Sequence, residues 1–383
     1  MKFYTAEKVR CRECESCTKL VACPASFERE LCIGCKACFF ACPNKAIEMI
    51  EDRRREVVIS VDGELYSVPE RIPVKKALEI LGYRFEEGCE TGGCWNCVVE
   101  VDGLLKPSCM AAVKENMRIR FANTTRRIVG GFMGHTAGGV GTPWYLKGKY
   151  VEVAAFTAGC NFRCPQCQNW RITYRSKESI EYQVLTPKQA AERITLLRKV
   201  YRVDRMAISG GECTLNRKWL IQYIKELKLL NPDEKARFHV DTNGSLLTKD
   251  YIDELINAGV SDIGIDLKAL ETDTFARITG LSKELAEKYK QTAWNAVKYI
   301  LDEYKIFLGI GIPYNKKLIS LDEIQRMGEK IAEINPEVQI CVLDYRPEFR
   351  RKDIPRPSYK EVMEVYKALK NVGLCVVLKF LTL

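Results

Sequence analysis

Fifteen of the 18 cysteines in this 383-residue chain fall into four closely spaced groups. Cys11, Cys14, Cys17 and Cys23 form the first, with Pro24 after the last thiol, and Cys32, Cys35, Cys38 and Cys42 form the second, with Pro43 after it. Cys89, Cys94, Cys97 and Cys109 form the third, and Cys160, Cys164 and Cys167 the fourth. Thiols this dense at Cys-x2-Cys spacing point to metal binding in a reducing compartment rather than to a disulfide framework. Four cysteines can saturate an iron–sulfur cluster. Three can hold only three irons of a [4Fe–4S] cube, which leaves the fourth iron open to a substrate or cofactor. The chain therefore reads as carrying saturated clusters for electron storage and one open cluster for chemistry.

A length of 383 residues allows two or three domains, and 46% hydrophobic residues is ordinary for a globular protein. A chain this long does not need disulfides to supply a core. No apolar run approaches the roughly 18–20 residues of a membrane helix. Met1-Lys2-Phe3-Tyr4 contains no apolar h-region, so no signal peptide is expected and a cytoplasmic location is. An open iron is oxygen-labile, so an anaerobic source is expected. The formal charge of +10 counts every cysteine as neutral. Three saturated clusters and one open one would together remove about seven positive charges, so the basic excess is weak evidence for a nucleic-acid partner.

The chain divides into residues 1–52, which are cysteine-dense; 53–122, which alternate like short strands; a Gly-rich connector over 123–149; and a strand–helix region over 150–383. The charged run Glu51-Asp52-Arg53-Arg54-Arg55-Glu56 reads as a solvated linker. Within 53–122, strands are expected over 57–61, 65–68 and 98–101, with hairpin turns at Asp62-Gly63 and Asp102-Gly103 and a short helix over 75–81 ended by Gly82. From 150 onward, strands are expected at 151–156, 205–209, 237–241, 262–266, 305–311, 338–343 and 374–380. Helices are expected at 187–200, 216–230, 248–258, 285–303, 320–334 and 358–371. This alternation implies an α/β fold with parallel strands: a partial (β/α)6 TIM-type barrel, or an open doubly wound sheet. Either puts the chemistry at the C-terminal ends of the strands.

The second cysteine run matches the bacterial 2[4Fe–4S] ferredoxin pattern in full, and the first is two residues longer in its last gap. Because the fourth cysteine of each run serves the other cluster in that family, the resemblance implies one cluster on Cys11, Cys14, Cys17 and Cys42 and another on Cys32, Cys35, Cys38 and Cys23. The spacing of Cys89, Cys94 and Cys97 is that of plant-type [2Fe–2S] ferredoxins, while the short gap to Cys109 is similar to that in succinate dehydrogenase and molybdenum hydroxylases. That resemblance implies a β-grasp fold. Structural zinc is the alternative for all of these sets.

Cys160-x3-Cys164-x2-Cys167, just after an expected strand, resembles the cluster motif of radical S-adenosylmethionine (radical SAM) enzymes. Gln166 stands where that family usually has an aromatic. Gly210-Gly211-Glu212, at the end of the second strand, resembles the family's GGE motif, whose backbone and carboxylate receive the amino group of SAM. Asp241-Thr242-Asn243-Gly244 and Asp266-Leu267-Lys268, at the ends of the third and fourth, narrow the resemblance to the pyruvate formate-lyase activating enzyme group. By that analogy Asp241, Thr242 and Asp266 contribute to a monovalent-cation site and Lys268 neutralises the SAM carboxylate. A turn or a helix cap is the alternative for each piece taken singly. The resemblance covers residues 150–345. It implies reductive cleavage of SAM to a 5′-deoxyadenosyl radical that abstracts hydrogen, fed by electrons through the N-terminal clusters.

Cys213 follows Glu212 and is a candidate hydrogen donor or substrate contact, with a buried filler as the alternative. Cys341 and Cys375 read as core, His239 as structural, and His135 as uninformative. The run from Tyr345 to Arg351, after the sixth strand, reads equally as a contact for an anionic substrate or partner and as a solvated loop. Three functions remain open: an activating-type enzyme acting on a partner protein such as a glycyl-radical enzyme, a radical SAM enzyme acting on a small molecule, and a non-enzymatic electron-transfer module. Either enzyme needs an external low-potential electron donor.

Overall fold

The computed structural model describes residues 2–26 and 28–379. Strands β1 (Phe3–Lys8) and β2 (Ile47–Asp52) pair antiparallel and bracket two short helices, α1 (Ser16–Lys19) and α2 (Ala37–Ala41). The cysteine loops fill the space between them. In the charged run that follows, Glu51, Arg53, Arg55 and Glu56 are exposed as expected of a solvated linker, but Arg54 turns inward. The Arg54 side chain is fully buried and bonds the Asp52 carboxylate at 2.5 Å, the Tyr4 carbonyl at 2.9 Å and the Cys32 carbonyl at 3.1 Å. A buried guanidinium needs such partners, and here they fasten both ends of the first segment together.

The second segment contains β3 (Glu56–Val61), β4 (Glu64–Pro69), α3 (Val74–Ile80), β5 (Val98–Val101), β6 (Leu104–Pro107) and β7 (Arg118–Phe121). The strand order is β4-β3-β7-β5-β6, with only the β3–β7 pair parallel, which is a β-grasp arrangement. Both expected hairpins have positive φ at their two central residues, Asp62 and Gly63 in one, Asp102 and Gly103 in the other. That conformation matches the right-handed strand twist.

The third sheet contains β8 (Arg127–His135), β9 (Glu152–Thr157), β10 (Tyr182–Leu185), β11 (Arg205–Gly210), β12 (Arg237–Thr242), β13 (Asp262–Asp266), β14 (Phe307–Tyr314), β15 (Gln339–Asp344) and β16 (Cys375–Lys379). From β9 through β11 to β16 the strands are parallel and lie side by side in chain order. A doubly wound sheet reverses its order at a switch point. This one does not, so the structure is the partial barrel, open between β10 and β16. Among the described residues, seven helices follow the cluster loop up to β15: α4 (Trp170–Thr173), α5 (Pro187–Tyr201), α6 (Arg217–Leu230), α7 (Lys249–Ala258), α8 (Thr272–Thr279), α9 (Lys283–Glu303) and α10 (Leu321–Ile334). An eighth, α11 (Tyr359–Asn371), follows β15. α5 opens with a capping box on Thr186 and Gln189.

The Gly-rich stretch is not merely a connector. Its Ile128-Val129 half is strand β8, paired antiparallel with β9 and β10. Its second half, residues 138–142, threads the inside of the barrel. The Gly141 carbonyl accepts from Arg205, and Gln339 donates to the carbonyl of Thr142 at 3.0 Å. A Cβ on Gly139 would lie 1.5 Å from Asp241 Oδ2, so glycine is required there. Barrel interiors are usually filled by side chains. Here a backbone segment takes part of that space.

Candidate functional site

The cysteine runs converge as crossed sets. Cys23, Cys32, Cys35 and Cys38 line one cavity of about 250 Å3, and Cys11, Cys14, Cys17 and Cys42 line another. Backbone amides point at the sulfurs: Ala6 N is 3.3 Å from Cys32 Sγ, and Ala46 N is 3.3 Å from Cys42 Sγ. Burial pushes the Cys35 thiol up to about 12. Metal binding would have to displace that proton. Cys89, Cys94, Cys97 and Cys109 are all buried, and the amides of Cys89 and Cys94 each donate to the other's sulfur. The fifteen cysteines of the four groups are free thiols. Among the described residues no three His, Cys, Asp or Glu side chains close around a single-ion position. Cavities ringed by thiols that accept amide hydrogen bonds fit polynuclear clusters.

The C-terminal ends of the barrel strands enclose a cavity of about 320 Å3. Cys160, Cys164 and Cys167 form one wall, and Gly210, Gly211, Asp241, Thr242, Asn243, Asp266 and Lys268 also face it. Gly138, Gly139 and Val140 add to the lining. Sequence reasoning missed this contribution, although the glycine run that permits it was visible. Pro313, Leu343 and Tyr345 supply apolar surface that limits water. Burial raises the Cys160 thiol well above its usual value and pushes Cys164 up to about 12. Phe162 N donates to Cys160 Sγ at 3.3 Å, and the Thr173 hydroxyl lies 3.7 Å from Cys167 Sγ.

The glycines have a steric reason. A Cβ on Gly211 would meet the Gly159 carbonyl oxygen at 2.2 Å, where Glu212 N bonds that same oxygen at 2.7 Å. The strand end thus lies directly on the cluster loop. Glu212 itself lies beside the cavity rather than in its lining. Its carboxylate is fully buried behind the wall and accepts from Thr214 N at 3.0 Å, Thr214 Oγ1 at 2.7 Å, Thr242 Oγ1 at 2.6 Å and Asn243 N at 2.8 Å. It fastens the β11 end to the β12 end. Cys213 is likewise buried outside the lining, and its thiol donates to the Asp241 carbonyl at 3.1 Å. Gln166 is fully buried and donates to the Ile278 carbonyl at 2.7 Å, anchoring the cluster loop to α8.

Lys268 Nζ lies 2.7 Å from Asp266 Oδ2. Burial works against its charge, but Asp266, Tyr345 and Cys164 raise its pKa overall, so it is a firm cation facing the cavity. Asp241 Oδ1 accepts from Gly141 N at 3.3 Å and lies 3.0 Å from His239 Nε2. The loop after β15 does not reach the cavity beyond Tyr345, and its Pro347 is exposed. Arg350 bonds the carbonyls of Phe39 at 2.6 Å and Cys42 at 3.0 Å, and Phe349 stacks on Trp170 at 5.1 Å. It clamps the N-terminal domain to the barrel. Cys341 is buried as expected, while Cys375 is half-buried.

Comparison with known proteins agrees with this geometry. Residues 155–319 match the radical SAM superfamily, residues 25–48 a 4Fe-4S binding domain, and residues 54–124 a 2Fe-2S iron-sulfur cluster binding domain. A relative from Methanocaldococcus jannaschii, provisionally described as a glycyl-radical enzyme activating enzyme, is 27% identical over 184 residues, covering 47% of this chain and 63% of that protein. A second from the same organism, of the same description, is 26% identical over 235 residues, covering 58% and 86%. A protein provisionally described as a GTP 3′,8-cyclase from Methanococcus aeolicus is 29% identical over 135 residues, covering 35% and 42%. The chain thus spans less than two thirds of the length of the first and third of these relatives. Among solved structures, a domain of pyruvate-formate lyase-activating enzyme from Bacteroides vulgatus aligns with a TM-score of 0.37 at 19% identity, covering 45% of this chain and 98% of that one. The chain thus carries a radical SAM domain over residues 155–319, preceded by a 4Fe-4S binding domain over residues 25–48 and a 2Fe-2S binding domain over residues 54–124.

Proposed function

We propose that the protein is an activating-type radical SAM enzyme that abstracts hydrogen from a partner protein and draws its electrons through its own N-terminal clusters. The observation that carries this reading is the convergence of Cys160, Cys164 and Cys167 with Asp241, Asp266 and Lys268 around one cavity at the strand ends. A [4Fe–4S] cluster and SAM bound there would supply a hydrogen-abstracting alkyl radical. The chain's own groups do the rest. Lys268 would neutralise a carboxylate, Asp241 and Asp266 would hold cationic groups, and the backbone at Gly210 and Gly211 would accept an ammonium. Leu343, Pro313 and Tyr345 keep water from the reacting centre.

The thiol sets also support an internal electron route. Cys97 and Cys109 lie in one apolar cluster with Trp170, Tyr174 and Phe349, and Cys23, Cys35 and Cys167 pack against the same cluster. Three cluster sites thereby share one dry contact region. The two relatives described as activating enzymes favour a protein substrate. A small-molecule substrate is the second reading, favoured by the relatives described as GTP 3′,8-cyclases. The test is 5′-deoxyadenosine formation by the anaerobically reconstituted protein with SAM and dithionite, against Cys164→Ala. A partner glycyl-radical protein added to the assay should develop a glycyl-radical EPR signal. Turnover of GTP in its place would overturn the first reading in favour of the second.

A further inference from the structure

One side chain lies where the cluster sites meet and is assigned no part in SAM chemistry. Arg163 stands inside the Cys160–Cys167 run. Its guanidinium donates to the Cys160 carbonyl at 2.7 Å and the Phe162 carbonyl at 2.8 Å through one nitrogen, and to the Cys89 carbonyl at 2.8 Å through the other. Its planar face lies over the Phe40 ring, 4.5 Å from the centroid, and Phe40 is two residues from Cys38 and Cys42. Arg163 also borders a cavity that Cys35 and Cys109 share. One cation therefore touches the backbone of a ligand from the third cysteine set and of a ligand from the fourth, and stacks on the helix between ligands of the first two.

The local backbone is built around this placement. Arg163 N donates to the Thr279 carbonyl at 2.8 Å, and a Cβ on Gly280 would lie 2.5 Å from the Arg163 carbonyl oxygen. On the opposite side, a Cβ on Gly159 would lie 2.8 Å from Cys94 N and 3.1 Å from Cys89 Sγ. The Cys89 loop and the Cys160 loop are thus in van der Waals contact, and Arg163 is the fork that joins them. Its three acceptors are neutral carbonyls, so the contact leaves the positive charge in place. A planar fork with fixed donors suits such a bridge, and lysine does not reproduce it.

We propose that Arg163 is a positioning residue for electron transfer, locking the Cys89 set against the Cys160 triad and holding up the reduction potentials of both clusters by its fixed charge. Reduction adds one negative charge to a cluster. A cation nearby stabilises that state, and net charge and hydrogen bonding are among the factors that set such potentials. The electron that reaches the triad would come directly from the Cys89 set, because the two loops touch. The inference rests on the reading that both cysteine sets carry clusters.

The test is a potentiometric titration followed by EPR on the full-length, anaerobically reconstituted protein. Signals lost in Cys164→Ala belong to the triad, and those lost in Cys97→Ala belong to the other set. If either signal is missing from the unsubstituted protein, the cluster reading fails rather than this proposal. In Arg163→Gln with full iron content, both midpoints should move negative, with the reduction constant of the Cys89-set cluster falling about tenfold, or 59 mV for a one-electron couple. Arg163→Lys should keep both midpoints near their original values, because it retains the charge, while slowing electron transfer from the Cys89 set to the triad. Unchanged midpoints in Arg163→Gln overturn the proposal, as does an equal fall in Arg163→Lys. If Arg163→Gln loses its iron, the lysine variant decides alone: preserved midpoints with slowed transfer support the proposal, and lowered midpoints or unslowed transfer overturn it.

Discussion

Glu152 and His239 form a buried ion pair inside the barrel, His239 Nδ1 lying 3.0 Å from Glu152 Oε2 with both side chains inaccessible to solvent. The same carboxylate receives His135 Nδ1 at 3.0 Å, the Thr142 hydroxyl at 3.0 Å and Gly139 N at 2.9 Å. Arg205 Nε lies 3.7 Å away. Both histidines of the chain are thus bound to one acid, and the threaded segment is tied to the same point.

This pairing sets a pH dependence. Burial disfavours the charged His239, but Asp241 and Glu152 outweigh it and push its pKa up to about 9. A group raised above its ordinary value near 6.5 contributes stability that is complete below that value and lost as pH rises through about 9. Thermal stability of the barrel should therefore decline between about pH 6.5 and 9, and His239→Gln should flatten that slope. A differential scanning series across this range checks it.

Lys268→Gln should weaken SAM binding by about tenfold or more, roughly 1.4 kcal/mol, because it removes a buried cation that faces the cavity and leaves Asp266 unpaired. Isothermal titration of the cluster-loaded protein measures this. An unchanged dissociation constant would remove Lys268 from the carboxylate site.

Gly139→Val should destabilise the barrel by about 1–3 kcal/mol, because its branched side chain would collide with the Asp241 carboxylate. Denaturant unfolding followed by the fluorescence of buried tryptophan, Trp219 above all, reports it. A neutral result would mean that residues 138–142 can leave the interior freely.

Arg54→Met should loosen the first segment, since the carbonyls of Tyr4 and Cys32 lose their donor. An unsatisfied buried acceptor costs about 1–3 kcal/mol. Faster proteolysis between residues 2 and 52, with loss of four irons or more per chain, is the expected outcome.

The barrel was legible because its strands β11 to β15 are short, largely buried runs, each followed by an amphipathic helix. The expected strand at 237–241 and the observed Arg237–Thr242 differ by one residue. The site was legible because its motifs fall at successive strand ends. What escaped was the role of polar groups that turn inward. Arg54 reads as a surface charge until its four acceptors are seen. The four hydrogen bonds that Glu212 accepts from Thr214, Thr242 and Asn243 leave no mark in the sequence. The run from Arg127 to His135 reads as irregular because Gly130 and Gly131 mask a strand, and the register with β9 shifts between Gly130 and Met133. α8 went unforeseen, being only eight residues long.

The threaded segment also bears on how far this chain is modular. By composition the barrel begins near residue 150, and a swap of N-terminal domains would be spliced there. Such a junction would take Gly139, Gly141 and Thr142 away from Glu152, Asp241 and Arg205, leaving a hollow shell with unanswered charges at its centre. Modules that abut in sequence here interpenetrate in space, so the shortest transferable unit of the barrel starts before Arg127, upstream of β8.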